Sequence, residues 1–308
     1  MSDMNDIITV AVVNFRTIRG ENQKNLEKMM GYARAASKQG ADLVVFPEMA
    51  LTGFDDEKDV PRPEKMQTLC AETIPGPSAG QMAELAKSLG IYVVFGMPER
   101  DGDDPEIVYN AAAIAMPDGG LLSHRKAHIC PPETNWASKG DGAMVFETKW
   151  GPIGLGICYE VYRYPELIRY ARAKGARLFL NCTAASAKSE PAPQARLALE
   201  SHVVMNRIFV ATANLAGPEL TTDFFGGSSI IGPSLAYEPV FYYAGSPFDA
   251  EDKTPGIRIA TLDLTEADAS FYMFQDNPAY GEPDFKPGLY AKLYRELEES
   301  PLFNKKAK

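Results

Sequence analysis

Apolar and polar positions alternate in blocks through the first hundred residues. Runs that are apolar throughout alternate with longer segments whose apolar positions recur at helical spacing. Strands without polar alternation are typical of sheets that are buried on both faces, with helices as the outer layers. Ser78 is a plausible N-cap for the second helical segment. The predicted elements are strands over 8–15, 42–48 and 91–99 and helices over 22–41 and 78–90.

A hairpin is predicted in the middle of the chain, and the alternation then returns. Residues 107–129 contain two apolar runs broken by PDGG at 117–120, which is a strong turn signal. The second half therefore repeats the strand and helix order of the first. Its pattern predicts helices over 164–176 and 193–207 and strands over 177–184, 208–217, 224–234 and 256–264.

The chain contains no low-complexity linker and no internal repeat, so a single domain over residues 1–268 is predicted. The segment 269–308 is rich in Pro, Tyr and Asp, and helical spacing returns only at 288–300. A tail of this kind is expected to pack on a partner subunit rather than to form a core of its own.

Composition narrows the class of function. The 308 residues carry a formal net charge of −10, and no cluster of Lys and Arg is present, which argues against a nucleic-acid partner. The acidic start and the absence of 18 consecutive apolar residues argue against a targeting signal and a membrane span. The four cysteines form no CxxC pair and are expected to be reduced thiols in a cytoplasmic protein.

Three reactive side chains lie at or near the ends of apolar runs. Glu48 ends DLVVFPE, Lys126 ends LLSHRK, and Cys158 ends IGLGIC. Taken singly, each has an ordinary interpretation: an exposed glutamate, a sheet-edge lysine and a packed core thiol. Because sites in α/β sheets form outside the carboxyl ends of strands, the three side chains are expected to converge in one crevice.

The segments around these residues resemble the motifs of the nitrilase superfamily of carbon–nitrogen hydrolases, in its amidase-like branch. The Glu, Lys and Cys occur in the order of that superfamily, and the similarity extends over roughly residues 7–265. Several ordered motifs are a stronger signal than any one of them alone. The segments are FPEMALTGF (46–54), PDGGLLSHRKAHICPPE (117–133), GPIGLGICYEVYRYPELIR (151–169), RLFLNCTAAS (177–186), ARLALESHVVMNRIFVATANLAG (195–217) and GGSSIIGPS (226–234).

The resemblance implies a four-layer αββα sandwich and acyl transfer through a thiol. Cys158 would be the nucleophile, Glu48 the general base, and Lys126 the group that stabilises the oxyanion. The backbone N–H of Tyr159 would be a second oxyanion donor. Glu133, which matches the second glutamate of the superfamily, would orient Lys126 or place the substrate.

Glu160 follows the nucleophile where amidase-type members usually have Asp, and it is expected to help form the substrate-binding wall. An ammonium near the thiol is expected to lower the thiol pKa, and the carboxylate to accept its proton. The histidines at 124, 128 and 202 are not needed as the base; His128 is expected near the pocket. Cys130 and Cys182 are interpreted as spectators.

The motifs are compatible with more than one class of C–N compound as the substrate. CYE and RYPELIR favour hydrolysis of a small primary amide or an N-carbamoyl compound. The GDG at 140–142 resembles true nitrilases, so nitrile hydrolysis is the alternative. Acyl transfer to an added amine would use the same thioester. A non-catalytic binding relative would be expected to lack one of the three reactive residues. Arg163 is a candidate for binding a substrate carboxylate.

Specificity is expected to come from loops near residues 54–64, 131–142, 159–164 and 184–195. The resemblance also implies a homodimer or higher even oligomer and no organic cofactor. No metal is expected, because no His, Cys or Asp cluster has the spacing of a zinc site. The expected partners are therefore a small-molecule substrate and a second copy of the chain, with neither nucleic acid nor membrane.

Overall fold

The structure is a computed structural model, and it divides into two compact units, Met1–Ala267 and Asp268–Lys308. Among the described residues, no helix combines the length and the hydropathy needed to span a membrane. The expectation that the tail packs on a partner subunit stays a prediction. The residues that the structure describes are 5–54, 59–186, 192–236, 239–246, 248, 252–268, 273–274, 276–279, 281–301 and 303.

The described part of the chain contains fourteen strands and seven helices. The strands are β1 Ile7–Asn14, β2 Leu43–Val45, β3 Tyr92–Arg100, β4 Val108–Ala115, β5 Leu121–Arg125, β6 Met144–Thr148, β7 Gly151–Ile157, β8 Leu178–Thr183, β9 Phe209–Asn214, β10 Ala216–Pro218, β11 Asp223–Phe225, β12 Ser229–Gly232, β13 Phe241–Gly245 and β14 Gly256–Asp263. The helices are α1 Asn22–Lys38, α2 Met66–Cys70, α3 Pro77–Leu89, α4 Tyr159–Arg163, α5 Pro165–Ala173, α6 Ala192–Asn206 and α7 Pro287–Glu298.

Two six-stranded sheets of similar topology form the centre of the first unit. Their strand orders are β14-β1-β2-β3-β4-β5 and β13-β12-β9-β8-β7-β6. In each sheet three neighbouring strands are parallel, β1-β2-β3 in one and β7-β8-β9 in the other, and antiparallel strands flank them. β5 is antiparallel to β4, which is antiparallel to β3, so the carboxyl ends of β2 and β5 lie at the same edge.

Alternate residues of the strands face two different layers, as the twofold period of a strand requires. In β1, Val10 and Val12 belong to the core between the sheets, whereas Ala11 and Val13 face α1 and α3. Helices α5 and α6 cover the outer face of the second sheet. The predicted αββα order is therefore confirmed: helices, sheet, sheet, helices.

Some predicted boundaries are wrong for local physical reasons. β2 ends at Val45 rather than at residue 48. Phe46 and the carbonyl of Pro47 still bond to β3, but Pro47 has no N–H with which to continue the ladder. Helix α3 begins at Pro77 with Gly76 as its N-cap, so Ser78 lies inside the first turn. The Glu72 carboxylate accepts hydrogen bonds from the backbone N–H and the hydroxyl of Ser78, and it takes the role expected of the serine.

The second unit contains α7, and none of the described side chains of this helix is buried within the chain. Leu289, Leu293 and Leu297 follow one another at intervals of one helical turn and are all exposed. Phe285 packs against Phe274 and Tyr290, with ring centroids 5.2 and 5.3 Å apart. The helix thus presents an apolar stripe that this chain leaves uncovered within the described residues.

The turn that carries Glu48 lies directly against Gly96 of β3. A Cβ atom added at Gly96 would come within 2.5 Å of the Cα of Glu48 and 2.5 Å of the backbone nitrogen of Met49. Both neighbours are backbone atoms, which cannot give way as the end of a side chain can. A side chain at position 96 would therefore displace the turn that follows β2.

We expect Gly96→Ala to lower the free energy of unfolding by about 1–3 kcal/mol, the usual cost of overpacking a dense interior. The matched control is Gly31→Ala on α1, where an added Cβ meets nothing within 4 Å. That substitution should raise the free energy by about 0.5–1 kcal/mol, because alanine is the better helix former. Urea unfolding measures both changes, and equal effects of the two variants would contradict the close approach at Gly96.

Candidate active site

The three residues expected to converge all lie just beyond the carboxyl ends of strands. Glu48 lies in the turn after β2, Lys126 directly follows β5, and Cys158 directly follows β7. Each strand end is tied into the fold by backbone bonds; the N–H of Lys126, for example, donates to the carbonyl of Asn110 at 2.8 Å. One of the three residues therefore comes from the second sheet and two come from the first.

Lys126 is the centre of a fully buried ion cluster. Its Nζ lies 2.7 Å from Oε1 of Glu48 and 2.7 Å from Oε1 of Glu133. All three side chains are essentially inaccessible to solvent. A buried ammonium needs such partners, because an unpaired charge in a low-dielectric interior is very costly.

Asn110 of β4 completes the cluster, and sequence reasoning missed it. Its Nδ2 donates to the same two carboxylate oxygens, Oε1 of Glu48 and Oε1 of Glu133, at 2.7 Å each. The neutral side-chain NH₂ group of Asn110 thus holds the two carboxylates together. The backbone carbonyl of Asn110 accepts the backbone N–H of Lys126. A single amide inside the apolar strand VYNAAAIA is the signal that could have indicated it.

The electrostatics of the cluster keep Lys126 charged. Burial by itself lowers the pKa of Lys126, but Glu133 and Glu48 outweigh it and raise that pKa well above its ordinary value. Burial also raises the pKa of Glu133, to about 7, against the opposing effect of Lys126. Lys126 therefore stays protonated at neutral pH.

Glu133 is oriented by a short 3₁₀ turn over Pro131–Asn135. Its second oxygen, Oε2, accepts the backbone N–H of Cys130 at 2.8 Å, which leaves Oε1 directed at Lys126. Burial raises the pKa of the Cys130 thiol to about 12, so this thiol stays protonated near the cluster. Glu133 is held from both sides and is positioned to orient the lysine.

Cys158 lies in a strained turn between β7 and α4. Its backbone has φ 52° and ψ −108°, a conformation that side-chain-bearing residues rarely adopt and that costs roughly 1–3 kcal/mol. Of the described non-glycine residues, three have positive φ, and Met49, next to Glu48, is another of them. Such outliers persist where the surrounding structure enforces them. Here one outlier is the candidate site residue Cys158, and another, Met49, directly follows the candidate site residue Glu48.

The expected lowering of the Cys158 pKa is wrong in its net direction. Burial and the charge of Glu48 raise the pKa of the thiol well above its ordinary value, and Lys126 offsets them only in part. Cys158 is therefore a neutral thiol at rest. As a nucleophile, it would need a group that removes its proton during attack.

Glu160 is fully buried and is engaged by protein donors on both oxygens. Oε1 accepts the backbone N–H of Ala127 at 2.7 Å, and Oε2 accepts that of Ile157 at 2.9 Å. His124 lies 3.0 Å from Oε2. We therefore propose that Glu160 acts as a bracket: its carboxylate links the strand end that carries Lys126 to the strand end that carries Cys158. This role differs from the substrate-binding role expected from the sequence.

Three aromatic side chains pack against one another near Cys158. His128 stacks on Tyr164 with ring centroids 3.7 Å apart, and Tyr159 meets Tyr164 edge to face at 5.7 Å. Tyr159 is the first residue of α4, so its backbone N–H has no partner within that helix. Arg163, at the end of α4, is exposed, and its role in carboxylate binding stays a prediction.

Other features lie apart from the cluster or outside the described residues. A surface groove of about 640 Å³ between α1 and α3 shares no lining residue with it. Two segments of the loops expected to set specificity, 55–58 and 187–191, lie outside the described residues. Cys182 is buried in β8, and burial raises its pKa. No group of three or more His, Cys, Asp or Glu among the described side chains is arranged to hold a metal.

Comparison with known sequences matches residues 9–269 to the carbon–nitrogen hydrolase family. An omega-amidase NIT2 from Bos taurus is 34% identical over 222 residues, which cover 68% of this chain and 76% of the relative. A nitrilase from Pyrococcus abyssi is 32% identical over 229 residues, which cover 74% of this chain and 82% of the relative.

Comparison with solved structures gives the same result. A variant of the amidase from Nesterenkonia sp. AN1 superposes with a TM-score of 0.69 at 26% identity, covering 88% of this chain and 94% of that chain. Its active-site cysteine carries the covalently added acetamide moiety of fluoroacetamide. Nit3 of Saccharomyces cerevisiae shares the fold, with a TM-score of 0.71 at 24% identity over 86% of this chain and 93% of that chain.

We expect Glu160→Gln to lower the free energy of unfolding at pH 7 by about 1–3 kcal/mol. The amide has only one oxygen, so one buried N–H of the bracket loses its acceptor. Burial raises the pKa of Glu160, but the hydrogen bond and charge of His124, with the N–H groups of Ile157 and Ala127, lower it below its ordinary value of 4.5.

The pH dependence gives this prediction its sign. A depressed pKa means that the ionised bracket contributes its full stability above about pH 4.5 and loses it as the pH falls through the lower folded value. The difference between wild type and Glu160→Gln should therefore shrink in acid. Urea unfolding between pH 3 and 7 measures it, and a difference that stays constant over this range would exclude an ionised Glu160.

Proposed function

Because the chain belongs to the carbon–nitrogen hydrolase family, we propose that it cleaves the C–N bond of a small amide or N-carbamoyl compound through a thioester on Cys158. Glu48 is the general base, Lys126 and the N–H of Tyr159 bind the oxyanion, and Glu133 orients Lys126. The observation that carries the proposal is the state of the two oxygens of Glu48.

The two oxygens of Glu48 differ in their surroundings. Oε1 accepts hydrogen bonds from Lys126 and Asn110, whereas Oε2 is buried and accepts none among the described residues. A buried carboxylate oxygen without a donor is costly and needs an explanation. A proton-accepting role supplies it, since the neutral thiol of Cys158 needs a base and the charge of Glu48 acts on that thiol.

Lys126 retains a donor for the substrate. An ammonium has three N–H groups, and two of them bind Glu48 and Glu133 in the described structure. The third is available to the carbonyl oxygen of the substrate. With the N–H of Tyr159 it would form a pair of donors, and such pairs stabilise a developing oxyanion strongly in a water-excluded site.

The steps balance as follows. The sulfur of Cys158 attacks the amide carbon while its proton moves to Oε2 of Glu48, and the carbonyl oxygen becomes an oxyanion bound by Lys126. The C–N bond then breaks, and Glu48 returns the proton to the leaving nitrogen, which departs as ammonia or an amine. Glu48 next takes a proton from water, and the hydroxide attacks the thioester; the C–S bond then breaks, Glu48 returns this proton to the sulfur, and the acid leaves.

The substrate class is inferred from the same charges and from the relatives. The single ammonium of Lys126 is already bound by the carboxylates of Glu48 and Glu133, so the cluster has no uncompensated positive charge for an anionic group, which favours a neutral group at the reacting carbon. The relative from Bos taurus is named an omega-amidase, which supports an amide. Nitrile hydrolysis stays the alternative, since the relative from Pyrococcus abyssi is named a nitrilase.

Assembly and location are predictions as well. The uncovered stripe of Leu289, Leu293 and Leu297 on α7 supports the expectation that the tail packs on a partner subunit in a homodimer or higher even oligomer. Sedimentation velocity of the wild type beside a chain ending at residue 268 would show the assembly change. A cytoplasmic location stays a prediction from the cysteine pattern.

The test of the proposed function is ammonia release over a panel of primary amides, N-carbamoyl compounds and nitriles. Cys158→Ala should abolish release, whereas Cys182→Ala, which removes another buried thiol, should retain most of it. Release from nitriles alone would replace the proposal with its alternative. Activity of folded Cys158→Ala within tenfold of wild type would overturn it. Hydroxamate formed with added hydroxylamine would reveal acyl transfer from the thioester.

We expect Asn110→Asp to lower kcat/KM by about 100-fold, because a third carboxylate repels Glu48 and Glu133 and displaces the base. Asn206→Asp is the matched control, since Asn206 is a buried amide on α6 that donates to the carbonyl of His202. It should lose stability with little change in kcat/KM. Equal activity losses in the two variants, at equal folded fractions, would contradict a specific role for Asn110.

A further inference from the structure

Three buried polar residues, Asn181, Tyr162 and Thr183, form a chain of hydrogen bonds that begins at the backbone of Cys158. The backbone N–H of Cys158 donates to Oδ1 of Asn181 at 3.2 Å, and Nδ2 of Asn181 donates to the Tyr162 hydroxyl at 3.4 Å. The Tyr162 hydroxyl donates to Oγ1 of Thr183 at 3.0 Å. Ile157 pairs with Cys182 in the register of β7 and β8, which places Thr183 next to Cys158, and the Thr183 hydroxyl lowers the pKa of the Cys158 thiol. We call this set the hydroxyl ring.

The directions of the hydrogen bonds in the hydroxyl ring follow from its first donor and from the Tyr162 hydroxyl, which donates to Thr183. A backbone N–H can only donate, so the amide oxygen of Asn181 must face Cys158 and its NH₂ group must face the other way. That NH₂ occupies a lone pair of the Tyr162 oxygen, and the tyrosine proton is directed at Thr183. Because Thr183 accepts from Tyr162, its own proton is left for the sulfur.

We propose that Thr183 is a positioning residue whose hydroxyl donates a hydrogen bond to the Cys158 sulfur, with its proton oriented by Tyr162 and Asn181. The inference rests on the proposed role of Cys158 as nucleophile and extends it. Thr183 forms no bond to substrate in this scheme. It stabilises the sulfur when negative charge develops there, and it aligns the sulfur with the attacked carbon.

The charges around Cys158 explain why such a donor matters. Glu48 from the turn after β2 opposes a negative sulfur, as does Cys130 from the segment after β5, whereas Lys126 favours it. Tyr162 of α4 is neutral, since burial raises its pKa well above the ordinary value. Lys126 is shared with two carboxylates, so its charge compensates a thiolate only in part. The Thr183 hydroxyl acts from β8, on the second sheet.

Thr183 and Asn181 are placed for this purpose by β8 itself. Residues 181 and 183 lie on the same face of the strand, and both are completely buried. Asn181 also donates to the Thr212 hydroxyl of β9 at 3.4 Å, a contact outside the ring. Two members of the ring are thus anchored in the sheet, whereas Cys158 lies in a turn and Tyr162 lies on α4.

The experiment measures alkylation of Cys158 by iodoacetamide, read at the Cys158 peptide by mass spectrometry at several pH values between 7 and 9. No substrate is needed. The neutral thiol predominates in this range, so the rate follows the thiolate fraction. Thr183→Val keeps the shape and removes the hydroxyl. Losing one hydrogen bond to a charged sulfur should raise its pKa by about one unit and slow alkylation about tenfold.

Three further variants separate the proposal from a general effect of mutation. Thr183→Ser should restore most of the rate, because it keeps the hydroxyl. Tyr162→Phe should slow alkylation by a smaller factor and add little to Thr183→Val, since Tyr162 acts through Thr183. Thr212→Val is the matched control, since it removes a buried hydroxyl that contacts Asn181 and is not part of the ring; it should leave the rate within about twofold.

Equal alkylation rates for wild type and folded Thr183→Val would overturn the proposal, as would equal slowing by Thr212→Val. Activity assays on the same variants separate this inference from the proposed function. If the alkylation pattern holds while no amide or N-carbamoyl compound is cleaved, the proposed function fails and the hydrogen bond stands. If cleavage depends on Cys158 but alkylation ignores Thr183, only the present inference fails.

Discussion

The ammonium of Lys126, buried without solvent contact, is the constraint on which the site depends. Removing such a charge from water costs several kcal/mol even after the surroundings relax, so the fold must supply compensating groups. It supplies two carboxylates from separate segments, Glu48 after β2 and Glu133 in the 3₁₀ turn after β5, and Asn110 of β4 donates to both of them. Because the ammonium and the amide bind the same two oxygens, the positions of these side chains are mutually fixed.

The same constraint relates the two sheets. The ion cluster belongs to the first sheet, whereas Cys158 follows a strand of the second, so the reactive groups meet only if the sheets keep their alignment. Glu160 provides a direct link, since one carboxylate accepts N–H groups from Ala127 beside the lysine and from Ile157 beside the cysteine. The close contact of Gly96 with the Glu48 turn fixes the third element. The relative positions of the candidate site residues therefore depend on the packing of the core.

The sequence predicted well whatever depends on local pattern. Apolar runs placed most strands of both sheets, although β6 and β13 were not predicted and 224–234 was predicted as one strand where the structure has β11 and β12. The carboxyl ends of the runs placed Glu48, Lys126 and Cys158, because a reactive residue after an apolar run is visible without knowledge of the partner. Asn110 and Thr183 were missed because each lies inside a strand. Their importance depends on which strands become neighbours, and no periodicity states that. The Ser78 cap failed for a similar reason, since Glu72 approaches it from a separate turn.

The direction of the Cys158 pKa was the other miss, and it bears on how the chemistry is divided. A lysine near a thiol suggests a thiolate at rest. Lys126, however, is already shared by two carboxylates, and burial penalises a thiolate beside them. A resting thiolate would add a negative charge beside two carboxyl groups that already share the one ammonium. The proposed mechanism avoids this, because negative charge forms on the sulfur only as its proton leaves for the oxygen of Glu48 that has no donor, and the Thr183 hydroxyl then stabilises the sulfur. Under that proposal, each buried group of the site can be interpreted by its effect on the charge that forms during proton transfer.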